Sequence, residues 1–421
     1  MSIVAYSGKI LYRGNLVDAE LGVDEEGIIV GIRKHFEGAR RVSFSGKLII
    51  PGAIDIHVHF RDPGYTNKED FKTGSMAALA GGVTTVFDMP NTDPKIKDLK
   101  SFKKKLRIAN KKSTVDFGIY GGIWPNSNIK ELLSVTKALK IYLYEWSDPN
   151  ALENIARMIP NDVLISIHAE HPNMIKKGEY WSLDDYNKLR PPEAEIEGIK
   201  ASLKIFNGKK LHIAHVSTES GLNYLISKAV TFEVTPHHML LNKDMNLWPY
   251  GVVNPPLRSK SDNDALWRAF FRGSIPVYAS DHAPHEIDEK ESENPPPGVP
   301  GVQEALPLML VFVKEGIIRI EDLMTMYAYI PAVITGLKGL KGSLESGAYA
   351  DFLVVDLGNE VRIKEDMLFY KCEWTIYKGL RAIFPLYVFV RGEALVEDGE
   401  VNEDPGFGKY VYSKDFKPFI I

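Results

Sequence analysis

His57 and His59 follow the apolar run Leu48 to Ile56, and their type and spacing indicate metal chemistry. In a strand, residues i and i+2 point to the same side. The two imidazoles can therefore converge on one ion while Val58 packs on the other side. Imidazole is also a common buried structural group, so a chance pair is the alternative. We expect a metal site to begin at this pair.

Other apolar runs of the chain carry a polar side chain that is unusual for a buried strand. These side chains are Lys140, His168, His215 and Asp281. The carboxyl ends of the strands of a parallel barrel meet at one mouth, so we expect all of them to converge there. Imidazole nitrogens and carboxylate oxygens suit zinc, with manganese or cobalt as alternatives, whereas a thiolate site would need clustered cysteines. The sequence predicts a zinc centre.

Lys140 is the unusual member of this set, because an ammonium group has no lone pair to offer a cation. Burial would lower its pKa and expose a neutral amine. That amine could add carbon dioxide and become an N6-carboxylated lysine, an anion whose two oxygens can bridge two metal ions. A lysine that reaches out to solvent from a misassigned strand edge is the structural alternative. Asp148 is a rival bridging ligand.

Apolar strand-like runs alternate with amphipathic segments from Leu48 to about Gly342, as in repeated βα units. The eight runs are Leu48–Ile56, Val83–Met89, Thr114–Tyr120, Leu139–Tyr144, Val163–His168, Lys210–His215, Val230–Val234 and Ile275–Asp281. Eight units predict an α/β fold with a closed (β/α)8 TIM-type barrel. The proline-rich stretch 295–301 follows the last run and is predicted to be an active-site loop.

Both ends of the chain show short alternating strands instead, and we expect them to pair into a small β-sandwich domain. The predicted boundaries are 1–48 for its N-terminal part, 49–342 for the barrel and 343–421 for its C-terminal part. The later strands are predicted at Phe352–Asp356 and Leu386–Val390.

The overall charge narrows the choice of partners. The chain has 421 residues with 51 basic and 55 acidic side chains, a formal net charge of -4. This balance argues against nucleic acid and anionic membranes and favours a small-molecule substrate. One cysteine, Cys372, fits a reducing compartment, and we expect a soluble cytoplasmic protein. The lysines of 103–112 are interpreted as a solvated helix face.

Several motifs together resemble the amidohydrolase superfamily and, within it, the dihydroorotase family, over nearly the whole chain. They are His57–Gly64, Gly81–Thr85, Asp88–Thr92, Val253–Arg258 and Ser280–His285. The resemblance implies His57 and His59 on a first metal ion, His168 and His215 on a second, and Lys140 as a bridging carbamate. Asp281 is then both ligand and general acid/base.

The resemblance also implies a substrate pocket. It assigns Arg61 and Asn91 to a substrate carboxylate, and lines the rest of the pocket with the residues His59, Asn254, His285, Pro297 and Gly298. Arginine presents a rigid fork that suits a carboxylate, although a surface ion pair is the alternative for Arg61.

The implied activity is the reversible cyclisation of N-carbamoyl-L-aspartate to dihydroorotate and water in pyrimidine synthesis, with a hydroxide held between two zinc ions as the nucleophile of ring opening. Related enzymes that open hydantoin, dihydropyrimidine or allantoin rings are an alternative, as is a scaffold protein without activity. Association of the chain with itself stays open, and the resemblance raises aspartate carbamoyltransferase as a partner.

Overall fold

The structure is a computed structural model that describes residues 2–402 and 404–417. Four strands come first in the chain: β1 (Ile3–Tyr12), β2 (Asn15–Asp24), β3 (Ile29–Arg33) and β4 (Arg40–Pro51). Strand β1 pairs antiparallel with β2 and parallel with β4. The predicted run Leu48–Ile56 is therefore wrong as a single strand, because its first four residues end β4 and only its later ones enter the barrel.

The centre of the molecule is a barrel of parallel strands in which every residue except the half-buried Thr231 is buried. They are β5 (Ala53–Val58), β6 (Val83–Asp88), β7 (Asp116–Ile119), β8 (Gly121–Gly122), β9 (Ala138–Tyr142), β10 (Leu164–His168), β11 (Leu211–Ile213), β12 (Thr231–Val234) and β13 (Val277–Tyr278). Only Tyr120 separates β7 from β8, so the two act as one strand that pairs with β6 on one side and β9 on the other. A bridge from Val58 to His282 closes the ring. The predicted eight-stranded barrel is confirmed.

Helices surround this barrel. They are α1 (Phe71–Ala80), α2 (Leu99–Lys112), α3 (Ile129–Leu133), α4 (Leu152–Met158), α5 (Leu183–Leu189), α6 (Pro192–Ile205), α7 (Glu219–Ile226), α8 (Pro236–Leu240), α9 (Lys260–Phe271), α10 (Ile287–Lys290), α11 (Ala305–Lys314), α12 (Ile320–Met324) and α13 (Ile330–Thr335). Among the residues that the structure describes, no helix is long and apolar enough to cross a membrane.

Helix α2 corrects the interpretation of its lysines as a wholly solvated face. Lys103 and Lys104 are exposed, but Lys105 is fully buried, forms an ion pair with Asp88 and donates to the carbonyl of Met89 at 2.7 Å. Asp88 in turn accepts a hydrogen bond from the backbone N–H of Phe60 at 2.7 Å. A buried charge needs such a partner. The pair fixes the chain segment between His59 and Arg61.

The later strands are β14 (Phe352–Val355), β15 (Val361–Arg362), β16 (Arg381–Ala382), β17 (Tyr387–Val390), β18 (Glu393–Glu397) and β19 (Glu400–Val401). All but β15 and β16 join the first four strands in one sheet, in the order β19-β18-β17-β14-β4-β1-β2-β3. Tyr6, Phe352 and Phe389 pack its two halves together, with the Phe352 and Phe389 ring centroids 4.1 Å apart. The two ends of the chain thus form one β domain beside the barrel. The exact boundaries at 48 and 342 stay a prediction.

Candidate functional site

A cavity of about 230 Å³ opens at the carboxyl ends of the barrel strands. It brings together every predicted site residue except Lys140, which is buried nearby. The predicted residues that line it are His57, His59, Arg61, Asn91, His168, His215, Asn254, Asp281, His285, Pro297 and Gly298. The last two belong to the proline-rich stretch, whose placement as a loop beside the site agrees with the prediction.

His57 and His59 converge on the carboxylate of Asp281. Their Nε2 atoms lie 3.2 Å and 3.3 Å from the same Asp281 oxygen. The Nδ1 of His57 contacts the Glu233 carboxylate, and the Nδ1 of His59 lies 2.8 Å from the amide oxygen of Asn91. These acceptors place the imidazole protons on Nδ1, which leaves the Nε2 lone pairs facing the carboxylate.

This arrangement fits a metal ion. Ligand atoms of His57, His59 and Asp281 all lie within 4.8 Å of one another. Lone pairs and an anionic oxygen repel each other unless a cation or a proton lies between them. Burial lowers the pKa of both imidazoles, with the Lys140 charge adding to the effect at His57 and the Arg61 charge at His59. Neutral imidazole is the form that binds metal.

His168 and His215 form a second histidine pair, with ring centroids 4.4 Å apart. The Nε2 of His168 lies 2.6 Å from Glu170, which also pairs with Arg190. The Nδ1 of His215 is buried without a hydrogen-bond partner among the described residues. Burial lowers the pKa of both imidazoles. The pair therefore brings two neutral imidazoles, the form that binds metal, to the cavity wall.

Lys140 lies inside the barrel wall, fully buried, with Nζ 3.3 Å from the hydroxyl of Ser166. Burial lowers the pKa of this lysine to about 8, against the opposing effect of the Glu233 and Asp281 charges. The alternative of a lysine reaching into solvent is wrong. Asp148, the rival ligand, is exposed and accepts a hydrogen bond from the backbone N–H of Asn150 at 3.0 Å, away from the cavity.

Arg61 is 9% exposed and lines the cavity, so the alternative of a surface ion pair is also wrong. Its Nε donates to the carbonyl of Pro284 at 3.2 Å, and one terminal nitrogen lies 3.1 Å from Nε2 of His285. Within the described part of the chain, no carboxylate forms an ion pair with Arg61. A buried guanidinium that forms no direct ion pair favours an anionic ligand in the cavity.

Asn254 lies on a different part of the cavity wall. Its side-chain oxygen accepts a hydrogen bond from the Tyr186 hydroxyl at 2.6 Å. Asn254 and Tyr186 are brought together from the segment after β12 and from α5, so the wall here is built by residues 68 positions apart in the chain.

Glu233 is the important residue that the sequence interpretation missed. It lies in β12, contacts Nδ1 of His57, lies 2.9 Å from Nε2 of His212 and accepts the backbone N–H of His215 at 3.2 Å. Glu233 therefore orients the imidazole rings of His57 and His212 and holds the backbone at His215. The signal was present in the sequence, because Glu233 is a carboxylate inside the apolar run Val230–Val234. Tyr142, Tyr144 and His237 also line the cavity and were not predicted there.

Three of the cavity residues have a left-handed backbone, which is uncommon for residues other than glycine. The φ angles are 60° at Arg61, 36° at His215 and 46° at Asp281. All three follow the ends of barrel strands, where the chain turns sharply. This turn directs their side chains to the cavity.

Comparison with known proteins gives a consistent result. The family model described as Amidohydrolase family matches residues 48–395. The chain is 38% identical to a protein named Dihydroorotase from Methanosarcina mazei, with 96% of each chain covered. It is 37% identical to a protein of the same name from Methanosarcina acetivorans, over 96% of this chain and 94% of that one. Among solved structures, L-Hydantoinase (Dihydropyrimidinase) from Arthrobacter aurescens aligns with a TM-score of 0.91 at 26% identity, over 97% of this chain and 99% of that one.

Proposed function

This chain belongs to the amidohydrolase family, and from that premise we propose that it catalyses the reversible cyclisation of N-carbamoyl-L-aspartate to (S)-dihydroorotate and water, a step of pyrimidine synthesis. The observation that carries the proposal is Arg61, a buried guanidinium that forms no ion pair with a carboxylate among the described residues and lies beside a cluster of metal-type ligands. Both the substrate and the product carry a carboxylate that can pair with it. The name that the similar sequences share supports the same activity.

His57, His59 and Asp281 would hold one divalent metal ion, and His168 and His215 a second, with zinc as the first choice for this donor set. Carboxylation of Lys140 by carbon dioxide would supply an anion between them, and the depressed pKa of its amine supports this because carbon dioxide reacts with the neutral form. Divalent ions at such ligands lower the pKa of water and polarise a carbonyl oxygen.

Arg61, with Asn91 and His285 beside it, would bind the carboxylate that does not react. Holding this end fixes the flexible carbamoyl amino acid with its reacting groups in the cavity, which lowers the entropic part of the barrier to closure. Glu233 would keep the His57 ring in one orientation throughout.

Asp281 would carry the proton. In ring opening its carboxylate receives a proton from water and delivers it to the departing ring nitrogen, and in ring closure the same steps run backwards from the protonated acid. Burial raises the pKa of the Asp281 carboxyl, whereas a bound cation would lower it. Because closure consumes a carboxylate and a proton to release water, acid favours the cyclic product.

An assay of both directions tests the proposal. Purified protein is supplied with zinc and bicarbonate, and turnover of dihydroorotate and carbamoyl aspartate is followed by the absorbance of the cyclic amide. Hydantoin, dihydrouracil and allantoin serve as uncarboxylated controls. We expect turnover of the carboxylated pair alone, its loss after treatment with a metal chelator and its return with zinc.

A second candidate is a hydrolase of uncharged rings, which the name of the solved L-hydantoinase favours. Turnover of uncarboxylated rings alone would support it and refute the assignment of Arg61. No turnover of any ring, with metal bound, would point to a scaffold protein. Association with aspartate carbamoyltransferase or between copies of this chain stays a prediction that co-purification and sedimentation test.

A further inference from the structure

His237 lines the cavity but has no role in the site described so far. It lies in α8, directly after barrel strand β12, and is 1% exposed. Within residues 2–402 and 404–417, neither of its ring nitrogens has a hydrogen-bond partner. A buried polar group without a partner is uncommon and requires an explanation.

The other histidines of this region differ from His237. His238, the next residue, is fully paired, with Nδ1 2.8 Å from the Thr235 hydroxyl and Nε2 3.0 Å from the carbonyl of Pro255. His238 therefore has a structural role. His237 makes no such bonds, and it is not part of the His57, His59 and Asp281 cluster whose ligand atoms approach one another. Neither local structure nor that cluster accounts for it.

The chemistry of imidazole indicates what His237 would bind. Burial lowers the pKa of this imidazole well below its ordinary value, so the ring is neutral and offers one donor and one acceptor. Leaving either nitrogen unpaired costs free energy, which a ligand in the cavity recovers by pairing with one of them. An amide or a urea can accept from the N–H or donate to the other nitrogen, whereas a carboxylate can only accept.

The two ends of the proposed substrate differ in their hydrogen-bonding groups. The carboxylate end has Arg61 and His285, which lie 3.1 Å apart and are in contact with each other. His237 lines the same cavity, and among the described residues it forms no hydrogen bond to either of them. The ureido group of carbamoyl aspartate carries a carbonyl acceptor and N–H donors in one plane.

We propose that His237 is a substrate-binding residue that hydrogen-bonds the ureido group, the part of the substrate that becomes the ring amide. This inference rests on the proposed function. It makes His237 a specificity-determining residue, because it recognises the carbamoyl group rather than the dicarboxylic acid to which that group is attached.

Binding measurements on His237→Leu and His237→Gln test the inference. In the zinc-loaded protein, calorimetry gives the Kd for carbamoyl aspartate and for succinate, a dicarboxylate without a ureido group. For His237→Leu we expect carbamoyl aspartate to bind about tenfold or more weakly, about 1.4 kcal/mol or more, with succinate binding unchanged. Glutamine has both a donor and an acceptor, so His237→Gln is expected to recover most of the affinity.

Stability and metal content separate this role from a structural one. His237→Leu removes no hydrogen bond of the free protein, so its ligand-free Tm is expected to match or exceed that of the wild type. His238→Leu, the matched control, loses two bonds and is expected to melt lower. Unchanged carbamoyl aspartate binding, an equal loss of succinate binding, or loss of zinc from His237→Leu would overturn the inference. Wild-type protein that does not turn over carbamoyl aspartate would instead remove the proposed function on which it rests.

Discussion

Replacing Arg61 with glutamine removes the buried guanidinium that lines the cavity and leaves a shorter, uncharged polar side chain. Truncating one partner of a buried, charge-assisted pair costs about 2 to 5 kcal/mol. At 9% exposure Arg61 has little water to take over its role, so we take about 3 kcal/mol, which corresponds to roughly a 150-fold rise in KM for carbamoyl aspartate. Arg61→Lys keeps the charge but not the planar fork of the guanidinium, so its KM is expected to lie between those of the wild type and Arg61→Gln.

The assay is steady-state kinetics in both directions, with metal content measured on each variant. Arg268, which pairs with Glu219 on the surface at 3.0 Å, provides the matched control, and Arg268→Gln is expected to leave KM unchanged. Residue 61 has a left-handed backbone, and neither glutamine nor lysine relieves it as glycine would, so we expect backbone strain to stay nearly constant across the series. A KM within about twofold of the wild type for Arg61→Gln, with zinc bound, would refute the role of Arg61 in binding the carboxylate.

Three further predictions follow from buried groups. Asp281→Asn keeps an oxygen ligand but cannot hold the proton, so kcat is expected to fall by roughly 10³-fold or more, and near-normal turnover would contradict the mechanism. Lys140→Met removes the amine that takes up carbon dioxide. Elemental analysis is expected to find fewer metal ions per chain, and an unchanged content would exclude Lys140 as a ligand. Glu304 is buried against Tyr370, and burial raises the pKa of this carboxyl from 4.5 to about 7. Between pH 4.5 and pH 7 the folded wild type therefore binds more protons than the unfolded chain, and this carboxyl makes its free energy of unfolding fall as pH rises. Glu304→Gln lacks this contribution. Denaturation is expected to show the variant gaining about 3 kcal/mol relative to the wild type from pH 4.5 to pH 7.

Polar residues at strand ends carried most of the prediction of this site. A parallel barrel buries both faces of its strands, so a histidine or lysine at a strand end has little structural reason to be there. That argument found His57, Lys140 and His215 without any knowledge of distances. It depends on the strand count, which the alternation of apolar runs determines.

What could not be predicted depends on contacts between distant segments. The bond from His57 to Glu233 spans 176 positions, and the pairing of Asp88 with Lys105 depends on how α2 packs against β6. A lysine run on an amphipathic helix indicates a solvated face, and only packing shows that one member points inward. The continuous apolar run Leu48–Ile56 likewise gave no sign that it passes from one sheet to another at Gly52.

Arg61, His215 and Asp281 have a left-handed backbone, so three residues of the proposed active site lower the thermal stability of the protein. Each such residue costs on the order of 1 kcal/mol or more that glycine, or in part asparagine, would avoid. Directed evolution that selects only for heat tolerance is thus expected to select substitutions at these same positions, which the proposed reaction requires. A variant with glycine at one of these positions is expected to be more stable, but to bind substrate weakly if the change is at Arg61 and to lose metal binding or turnover if it is at His215 or Asp281.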